Sequence, residues 1–248
     1  REEKGHAAVQ KVLLNKSIKL CLWCCLLFIA IPFGIYFTAF LPLTTLPHNR
    51  YNVFGRFIAY QTHMYNYHST LQATHPFESP WYQWPFDIRN VWYYGNYSAD
   101  SEGHIRTISV LGNPLFFWAC VPATVYAFVR AVKRHSRTAL ICVIGFLSAY
   151  LPWVLVPRCT FIYHYFTAVP FILIAFLIAY QRLEETASLR RVVFTKGAVT
   201  LTVGRILLLA CVLVHILMFI AFYPVLTGTL TTQNYANALE WLPSWFFI

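Results

Sequence analysis

The sequence predicts an all-α integral membrane protein with about five transmembrane helices and one large non-cytoplasmic loop. Of its 248 residues, 58% are hydrophobic and only 11% are charged, whereas about a quarter of the residues in a soluble domain are charged. A soluble fold could not bury that much apolar surface. A membrane helix of about 20 apolar residues can, because it spans the hydrocarbon while satisfying its own backbone hydrogen bonds.

Five segments are long and apolar enough to be these spans. None carries an acid or a lysine near its centre. His164 and His215 are the polar exceptions, and polar side chains inside a membrane span often have a functional role. The predicted spans cover roughly residues 20–41, 112–130, 138–157, 160–181 and 205–224.

The distribution of basic residues predicts the orientation. Most of the 19 lysines and arginines fall in the N-terminal arm and in the links 130–137 and 182–205. Basic segments stay in the cytoplasm, so the N-terminus is expected there. The net charge of +10 then reflects topology, and no nucleic-acid partner is predicted. The chain divides into a cytoplasmic basic arm (1–19), a transmembrane helix (20–41), a luminal or extracellular loop (42–111), a four-helix transmembrane region (112–224) and a tail on the same side as the loop (225–248).

The loop begins with a predicted amphipathic surface helix over residues 49–72. Apolar side chains recur there at helical spacing among histidine, glutamine and asparagine, a pattern typical of a helix lying on a membrane surface. The apolar positions are Phe54, Phe57, Ile58, Met64, Tyr65 and Leu71.

The next part of the loop is rich in proline and aromatic residues. Three prolines between residues 76 and 85 exclude regular secondary structure, and tryptophans and tyrosines crowd around them. One interpretation is a belt of aromatic rings at the lipid headgroups. The other is the wall of a binding site, which would also explain the polar side chains interleaved with the rings. These polar residues are His75, Glu78, Asp87 and Arg89.

A second candidate region follows Pro157, at the non-cytoplasmic mouth of two spans. Arg158 could reach up to the headgroups along its apolar stem. Alternatively it could bind a phosphate, because its guanidinium is a planar fork of donors that stays charged. His164 could be an interior hydrogen-bonded histidine or part of a pocket. Because apolar surroundings disfavour its charged form, we expect a hydrogen-bond partner and not a cation.

These residues resemble the C-terminal multi-span region of the protein O-mannosyltransferase family. The resemblance rests on YHSTLQATHPFESPWYQWP at 67–85, VWYY at 91–94, GNP at 112–114, the segment 157–171, and the tail segments 223–228 and 241–245. Residues 163–165 are closer to bacterial members. Thr167 and Asn90 depart from the family pattern, where a proline or small residue and a proline, respectively, are more usual.

The resemblance implies a glycosyltransferase of the GT-C type. Such an enzyme moves mannose from polyprenyl-phosphate-mannose to serine or threonine hydroxyls of secreted or membrane proteins, in a bacterial cell membrane or, in a eukaryote, the endoplasmic reticulum. A phosphate leaving group needs charge stabilisation more than a general acid. On this basis we assign the donor phosphate to Arg158, with Arg89 as a second candidate. The donor pocket is assigned to His75, Trp81, Trp84, Tyr163 and His164.

The catalytic base is not assigned to this chain. The resemblance implies an acidic pair in an N-terminal half, so we expect this sequence to be the C-terminal part of a longer protein. Glu78 and Asp87 are the acids nearest the motif, and neither is promoted to the base. No ligand spacing predicts a metal, and no cofactor is expected beyond the lipid-linked sugar, which is a substrate.

Two other functions remain open from the residues themselves. A transporter or lipid flippase would also place polar groups in the membrane, although usually near the midplane and with internal repeats, which the sequence lacks. A non-catalytic membrane subunit that presents its loop to a partner protein is the other alternative.

Overall fold

A computed structural model describes residues 2–45, 52–96, 103–197 and 199–248. The chain forms two compact units, residues 1–71 and residues 72–248. Among the described residues, the first unit contains one helical segment long and apolar enough to cross a membrane, and the second contains four. The five candidate spans are Val12–Leu43, Pro114–Lys133, Arg137–Leu155, Ile162–Glu184 and Val203–Thr227. The prediction of a multi-pass helical membrane protein is therefore confirmed.

The first unit contains the N-terminal span and the amphipathic helix. Helix α1 (Glu2–Cys25) continues through a five-residue π-helical turn (Leu26–Ala30) into α2 (Ile31–Thr38), and a 3₁₀ turn follows (Leu41–Thr45). Pro32 lies in the first turn of α2, where its missing backbone donor disturbs regular helical bonding. Helix α3 (Val53–Thr70) begins where the side chain of Asn52 accepts a hydrogen bond from Gly55 N–H at 2.8 Å.

The predicted amphipathic character of α3 has a clear structural basis in its one buried residue. Phe57 packs its ring against those of Phe33 (centroids 5.8 Å apart) and Phe40 (5.2 Å), while most of the polar side chains of α3 are exposed. The predicted first turn of this helix, residues 49–51, lies outside the described residues.

The second unit is built on four spans. Helix α4 (Pro114–Lys133) is capped by Asn113, and α5 (Arg137–Tyr150) by Ser136. A 3₁₀ turn (Leu151–Leu155) ends the second of these spans, and another (Ile162–Ala168) precedes α6 (Val169–Glu184). The short α7 (Ala187–Arg190) leads to α8 (Val203–Thr227), which begins at a Thr202 cap, and α9 (Gln233–Ala238) follows.

Small residues bring α4, α5 and α6 close together. Ala127, Ala139 and Ala175 are almost fully buried where these helices meet. Gly145 of α5 lies directly against the ring of Phe171 in α6, so closely that a Cβ there would overlap the ring. Such close approach is typical of helix packing in membranes, where small residues let backbones come together.

The large loop contains strands, which the all-α prediction did not include. Strands β1 (Val91–Asn96) and β2 (His104–Val110) pair antiparallel, and the short β5 (Thr231–Thr232) pairs with β2. A separate hairpin, β3 (Val192–Lys196) with β4 (Val199–Thr202), lies between α7 and α8. In β2 the buried positions are Ile105, Thr107 and Ser109. Because two of these three buried residues are polar, the sequence of β2 lacks the alternation of apolar and polar residues that is typical of a strand.

The tail packs on the loop by backbone and side-chain hydrogen bonds. The side-chain amide of Asn90 donates to Phe246 C=O and accepts from Phe246 N–H, and Trp245 Nε1–H donates to Asp87 C=O at 2.8 Å. Ser244 Oγ–H donates to Ile88 C=O. Residues 87–90 of the loop and 244–246 of the tail therefore pack against each other.

Candidate functional site

A pair of hydrogen bonds joins the proline-rich motif to the turn after α5. Ser79 N–H donates to Thr160 C=O at 2.8 Å, and Thr160 Oγ1–H donates to Ser79 C=O at 2.9 Å. Both residues are buried. We call this contact the Ser79–Thr160 clip. It joins two segments that are 81 residues apart in sequence. These are the proline-rich motif and the segment after Pro157, which the sequence indicates as two separate candidate regions.

Trp84 lies under this clip and not at a surface. Its ring is 0% exposed, and its Nε1–H donates to Ser79 C=O and Oγ, each at 3.0 Å. The ring stacks against His164, with centroids 5.9 Å apart. Trp84, which the sequence analysis assigns to the donor pocket, therefore has no exposed surface that a ligand could touch. A buried tryptophan whose N–H is satisfied instead holds His164 and the clip in place.

The clip assembles rings from three segments into an aromatic cluster. His75 meets Phe161 edge to face with centroids 5.2 Å apart, and Phe161 stacks on Tyr163 at 5.3 Å. Tyr163 also stacks against Tyr93 at 6.5 Å. Tyr163 is 36% exposed and Tyr93 57%, so the outer face of the cluster is open to a ligand.

His164 is fixed at the inner side of the same cluster. Its ring centroid lies 4.0 Å from that of Trp153 and 4.5 Å from that of Tyr163. Its Nδ1 lies 3.1 Å from Phe161 N and 2.9 Å from Phe161 O. The expectation of a hydrogen-bonded, partly buried histidine agrees with this geometry. Trp153 was missed from the sequence, although its place beside Pro152 at the end of a span was an available signal.

Arg158 lies beside the cluster, in the turn that precedes it. It precedes the 3₁₀ turn that carries Tyr163 and His164, and its side chain is only partly buried. Among the described residues, no acid forms an ion pair with it. A guanidinium next to exposed rings, with no anion from the described part of the protein, can bind a phosphate by donating two parallel hydrogen bonds to its oxygens.

The second predicted arginine has a different environment. Arg89 Nη1 donates to Glu78 C=O at 3.3 Å. At least one of the guanidinium donors of Arg89 therefore stabilises the backbone of the motif. Glu78 in turn accepts from His75 N–H at 3.3 Å, and Phe77 N–H donates to His75 Nδ1 at 3.2 Å. These contacts fix the loop around His75 and leave its imidazole exposed.

Trp81 lines a separate cavity on the other side of the motif. This cavity of about 290 Å³ lies between the motif and the bundle, and its walls are aromatic and apolar. Tyr150 O–H donates to Trp81 C=O at 2.8 Å, which secures the first turn of the motif to α5. The cavity is lined by Trp81, Tyr82, Pro85, Phe86, Val121, Thr124, Val125, Phe128, Phe146, Tyr150 and Tyr165.

Asp87 is a structural residue. It is fully buried with a positive φ of 52°, and its Oδ1 accepts from Gly112 N–H at 3.1 Å. Its Oδ2 has no partner among the described residues, and burial raises the pKa of Asp87 from 3.8 to about 7. A carboxyl shielded from solvent in this way is poorly placed to meet an acceptor hydroxyl.

The structure thus brings together most of the predicted residues, though not all of them on one surface. His75, Tyr163 and His164 share the cluster beside Arg158, Trp84 supports it from beneath, and Trp81 faces a different cavity. Across the described ranges, no group of three histidine, cysteine, aspartate or glutamate side chains could hold a metal ion.

Comparison with known proteins identifies the family of this arrangement. The polyprenol-phosphate-mannose–protein mannosyltransferase of Mycobacterium tuberculosis H37Rv is 25% identical over 195 residues, 75% of this chain and 36% of that protein. The enzyme of the same name from Mycolicibacterium smegmatis MKD8 is 25% identical over 242 residues, 87% of this chain and 45% of that protein. The chain therefore spans less than half the length of these curated relatives.

A solved structure and a family description agree on the fold. The Saccharomyces cerevisiae protein O-mannosyltransferase Pmt1-Pmt2 complex bound to the sugar donor matches with a TM-score of 0.62 and 21% identity, over 82% of this chain and 28% of that one. Residues 53–245 match the family described as the C-terminal four TMM region of protein-O-mannosyltransferase. This match covers most of the sequence, including the motif, the clip and the aromatic cluster, and the chain belongs to the protein O-mannosyltransferase family.

Proposed function

We propose that this chain is the donor-binding part of a polyprenyl-phosphate-mannose-dependent protein O-mannosyltransferase. The observation that carries the proposal is Arg158, which has no acidic partner among the described residues and lies beside the half-open aromatic cluster. The relatives named above use a polyprenol-phosphate-mannose donor and act on proteins. Membership of their family supports the same donor and the same class of acceptor here.

The cluster suits the parts of such a donor. The phosphate of a polyprenyl-phosphate sugar is held at the membrane surface, where Arg158 follows the 3₁₀ end of one span and precedes the next. Aromatic faces at Tyr93 and Tyr163 offer flat apolar surface to a sugar ring. The guanidinium would stabilise the charge that develops on the departing phosphate, which is the main requirement of this leaving group.

The proposal also assigns the catalytic base and the orientation of the chain in the membrane. The base that takes the proton of the acceptor hydroxyl is assigned to a region outside this chain, because the described acids beside the motif are either buried, as Asp87 is, or engaged with the backbone, as Glu78 is. The basic segments are assigned to the cytoplasm, which places the N-terminus there and the cluster on the outer face of a bacterial cell membrane.

The experiment is donor binding by the purified chain. Radiolabelled polyprenyl-phosphate mannose is titrated against the parent, Arg158→Ala and Arg106→Ala in detergent. Arg106 is an exposed arginine of the same loop whose guanidinium donates to Gly228 C=O, and it serves as the matched control. We expect Arg158→Ala to weaken binding at least about tenfold, a loss of about 1.4 kcal/mol, while Arg106→Ala binds like the parent.

The remaining outcomes are also decisive. Equal affinity of Arg158→Ala and the parent would contradict the phosphate assignment. If the parent does not bind, the chain is co-expressed with the N-terminal half of a relative and mannose transfer to a protein acceptor is measured. Transfer that requires Arg158 would support the proposal, whereas no binding and no transfer with both halves present would favour the non-catalytic subunit. The transporter alternative is less favoured, because the family is one of transferases.

A further inference from the structure

A second candidate binding site lies at the opposite end of α4 from the aromatic cluster. The twenty residues of α4 rise about 30 Å at 1.5 Å per residue. At that far end, a pocket of about 510 Å³ opens between the last turns of α4 and α6. Four of its six lining residues are cationic. The lining residues are Tyr126, Val129, Arg130, Lys133, Arg134 and Arg182.

Little of this charge is neutralised by the protein. Arg182 Nη1 lies 2.6 Å from Glu185 Oε2 and forms an ion pair with it. Among the described residues, no ion pair includes Arg130, Lys133 or Arg134. The pocket is therefore strongly positive, with a single acid at its edge.

Arg130 marks the inner wall of the pocket. One of its terminal nitrogens donates to the Tyr126 hydroxyl at 3.4 Å, while its Nε–H is buried and has no partner among the described residues. Leaving a buried charged donor unsatisfied costs free energy. An anion bound beside this guanidinium would balance the charge that the described part of the protein leaves uncompensated.

Helix ends explain only part of this arrangement. Cations are favoured in the last turn of a helix by its dipole, and Arg130, Lys133 and Arg182 all occupy last turns. The dipole does not require two helices to present their cations to one shared pocket. Basic pockets between membrane helices near the headgroup level are typical binding sites for anionic lipid headgroups.

We propose that this pocket, which we name the α4–α6 basic pocket, binds the phosphate headgroup of an anionic membrane phospholipid. Its position at the ends of two spans puts a headgroup within reach while the acyl chains remain in the bilayer. Arg130 bonds the phosphate from within the pocket, and Lys133 and Arg134 approach it from the rim. The site is independent of the donor site and is expected even if the donor assignment is wrong.

The test is lipid retention by the purified full chain. The protein is exchanged into nanodiscs that contain equal amounts of phosphatidylglycerol and phosphatidylcholine, and the bound lipids are counted by native mass spectrometry after release. The variants are Arg130→Gln and the double variant Lys133→Gln with Arg134→Gln. The matched control is Arg191→Gln with Lys196→Gln, which removes two exposed basic residues outside the pocket. A thermal unfolding curve of each variant accompanies the count.

We expect the parent to retain phosphatidylglycerol in preference to phosphatidylcholine. Retention should fall about tenfold in Arg130→Gln, as expected when a charge-assisted contact is lost, and clearly in the rim variant, with no change in the control. Equal loss in the control would overturn the site, because it would indicate general electrostatic attraction. No preference for the anionic lipid would also overturn it. Displacement of the lipid by millimolar inorganic phosphate would assign the pocket to a free anion and contradict the lipid proposal.

If Arg130→Gln does not fold, the rim variant decides. Lys133 and Arg134 are exposed, so their replacement is not expected to disturb packing. Retention that survives in a folded rim variant would contradict the proposal.

Discussion

Ser79 and Thr160 bind each other twice: Ser79 N–H donates to Thr160 C=O and Thr160 Oγ1–H donates to Ser79 C=O, at 2.8 and 2.9 Å. Ser79 C=O accepts a further hydrogen bond from the Trp84 indole. One carbonyl oxygen thus fixes the motif, the turn after α5 and the tryptophan that supports His164. The geometry of the aromatic cluster depends on this small buried contact.

Thr160→Val tests that dependence. Valine has nearly the same shape, so the change removes only the hydroxyl donor, and Ser79 C=O keeps its bond to Trp84. We expect a loss of about 1 kcal/mol in the free energy of unfolding, the usual value for one hydrogen bond, together with weaker donor binding. Thr167→Val is the control, because the Thr167 hydroxyl bonds within its own turn, to His164 C=O. An unchanged unfolding curve for Thr160→Val would show that the hydroxyl bond of the clip is dispensable for stability.

Asp87 is expected to make stability depend on pH. Its pKa is raised from 3.8 to about 7, so the folded chain holds a proton there that the unfolded chain has already released. Stability therefore falls as the pH rises from about 4 to about 7, by up to about 1.4 kcal/mol per pH unit, and levels off above that range. Asp87→Asn should remove this slope.

The measurement compares the free energy of unfolding of the parent and Asp87→Asn at pH 5 and at pH 8. The parent should lose more stability than the variant between the two values. A constant difference between the two proteins would mean that Asp87 is ionised in the folded state throughout.

Gly145 should tolerate no side chain. A methyl group there would overlap the Phe171 ring, so we expect Gly145→Ala to destabilise the α5–α6 contact by about 1–3 kcal/mol. Gly34→Ala is the matched control, because nothing lies within 4 Å of the added methyl. Adding Phe171→Leu to Gly145→Ala should recover part of the loss. Titration with a denaturing detergent measures the free energy of unfolding of all three variants. Equal unfolding curves for the two alanine variants would contradict the close packing.

Asn90 should be sensitive to a single-atom change. Its amide both donates to and accepts from the Phe246 backbone, and it is 0% exposed. In Asn90→Asp the donor is lost and a buried carboxyl faces a carbonyl oxygen, so we expect a cost of roughly 2 kcal/mol or more. Asn66→Asp, at an exposed position, should be neutral. Limited proteolysis of the tail reports the effect directly, since a released tail would be cleaved sooner.

The spans were predictable from sequence because hydropathy is a property of each segment alone. Helix α3 was predictable for the same reason, since its apolar spacing is local. The strands were not, because buried Thr107 and Ser109 interrupt the alternation of β2 and are satisfied only by distant partners. Thr107 Oγ1, for example, accepts from the Trp92 indole at 2.9 Å.

The types of residue in the candidate site were predictable from the sequence, but which of them are buried and which are exposed was not. Sequence order indicated that the motif and Arg158 lie on one side of the membrane, and the structure joins their segments. No local pattern distinguishes Trp84, which is buried, from Trp81, which lines a cavity, because their burial depends on α5 and on the turn after it. Asp87 and Asn90 were equally hidden, since their partners lie across the fold.

The contact between Asn90 and Phe246 also has a consequence for how the protein is made. These residues are separated by 156 positions, with four candidate spans between them. At roughly 5–20 residues per second, the ribosome needs on the order of ten to thirty seconds to add that stretch. Until α8 and the tail have been made, Asn90 lacks the Phe246 backbone that it binds in the folded chain. This end of the loop can therefore complete its packing only after the last candidate span has been made, so a docked tail reports that the whole chain has been synthesised and folded.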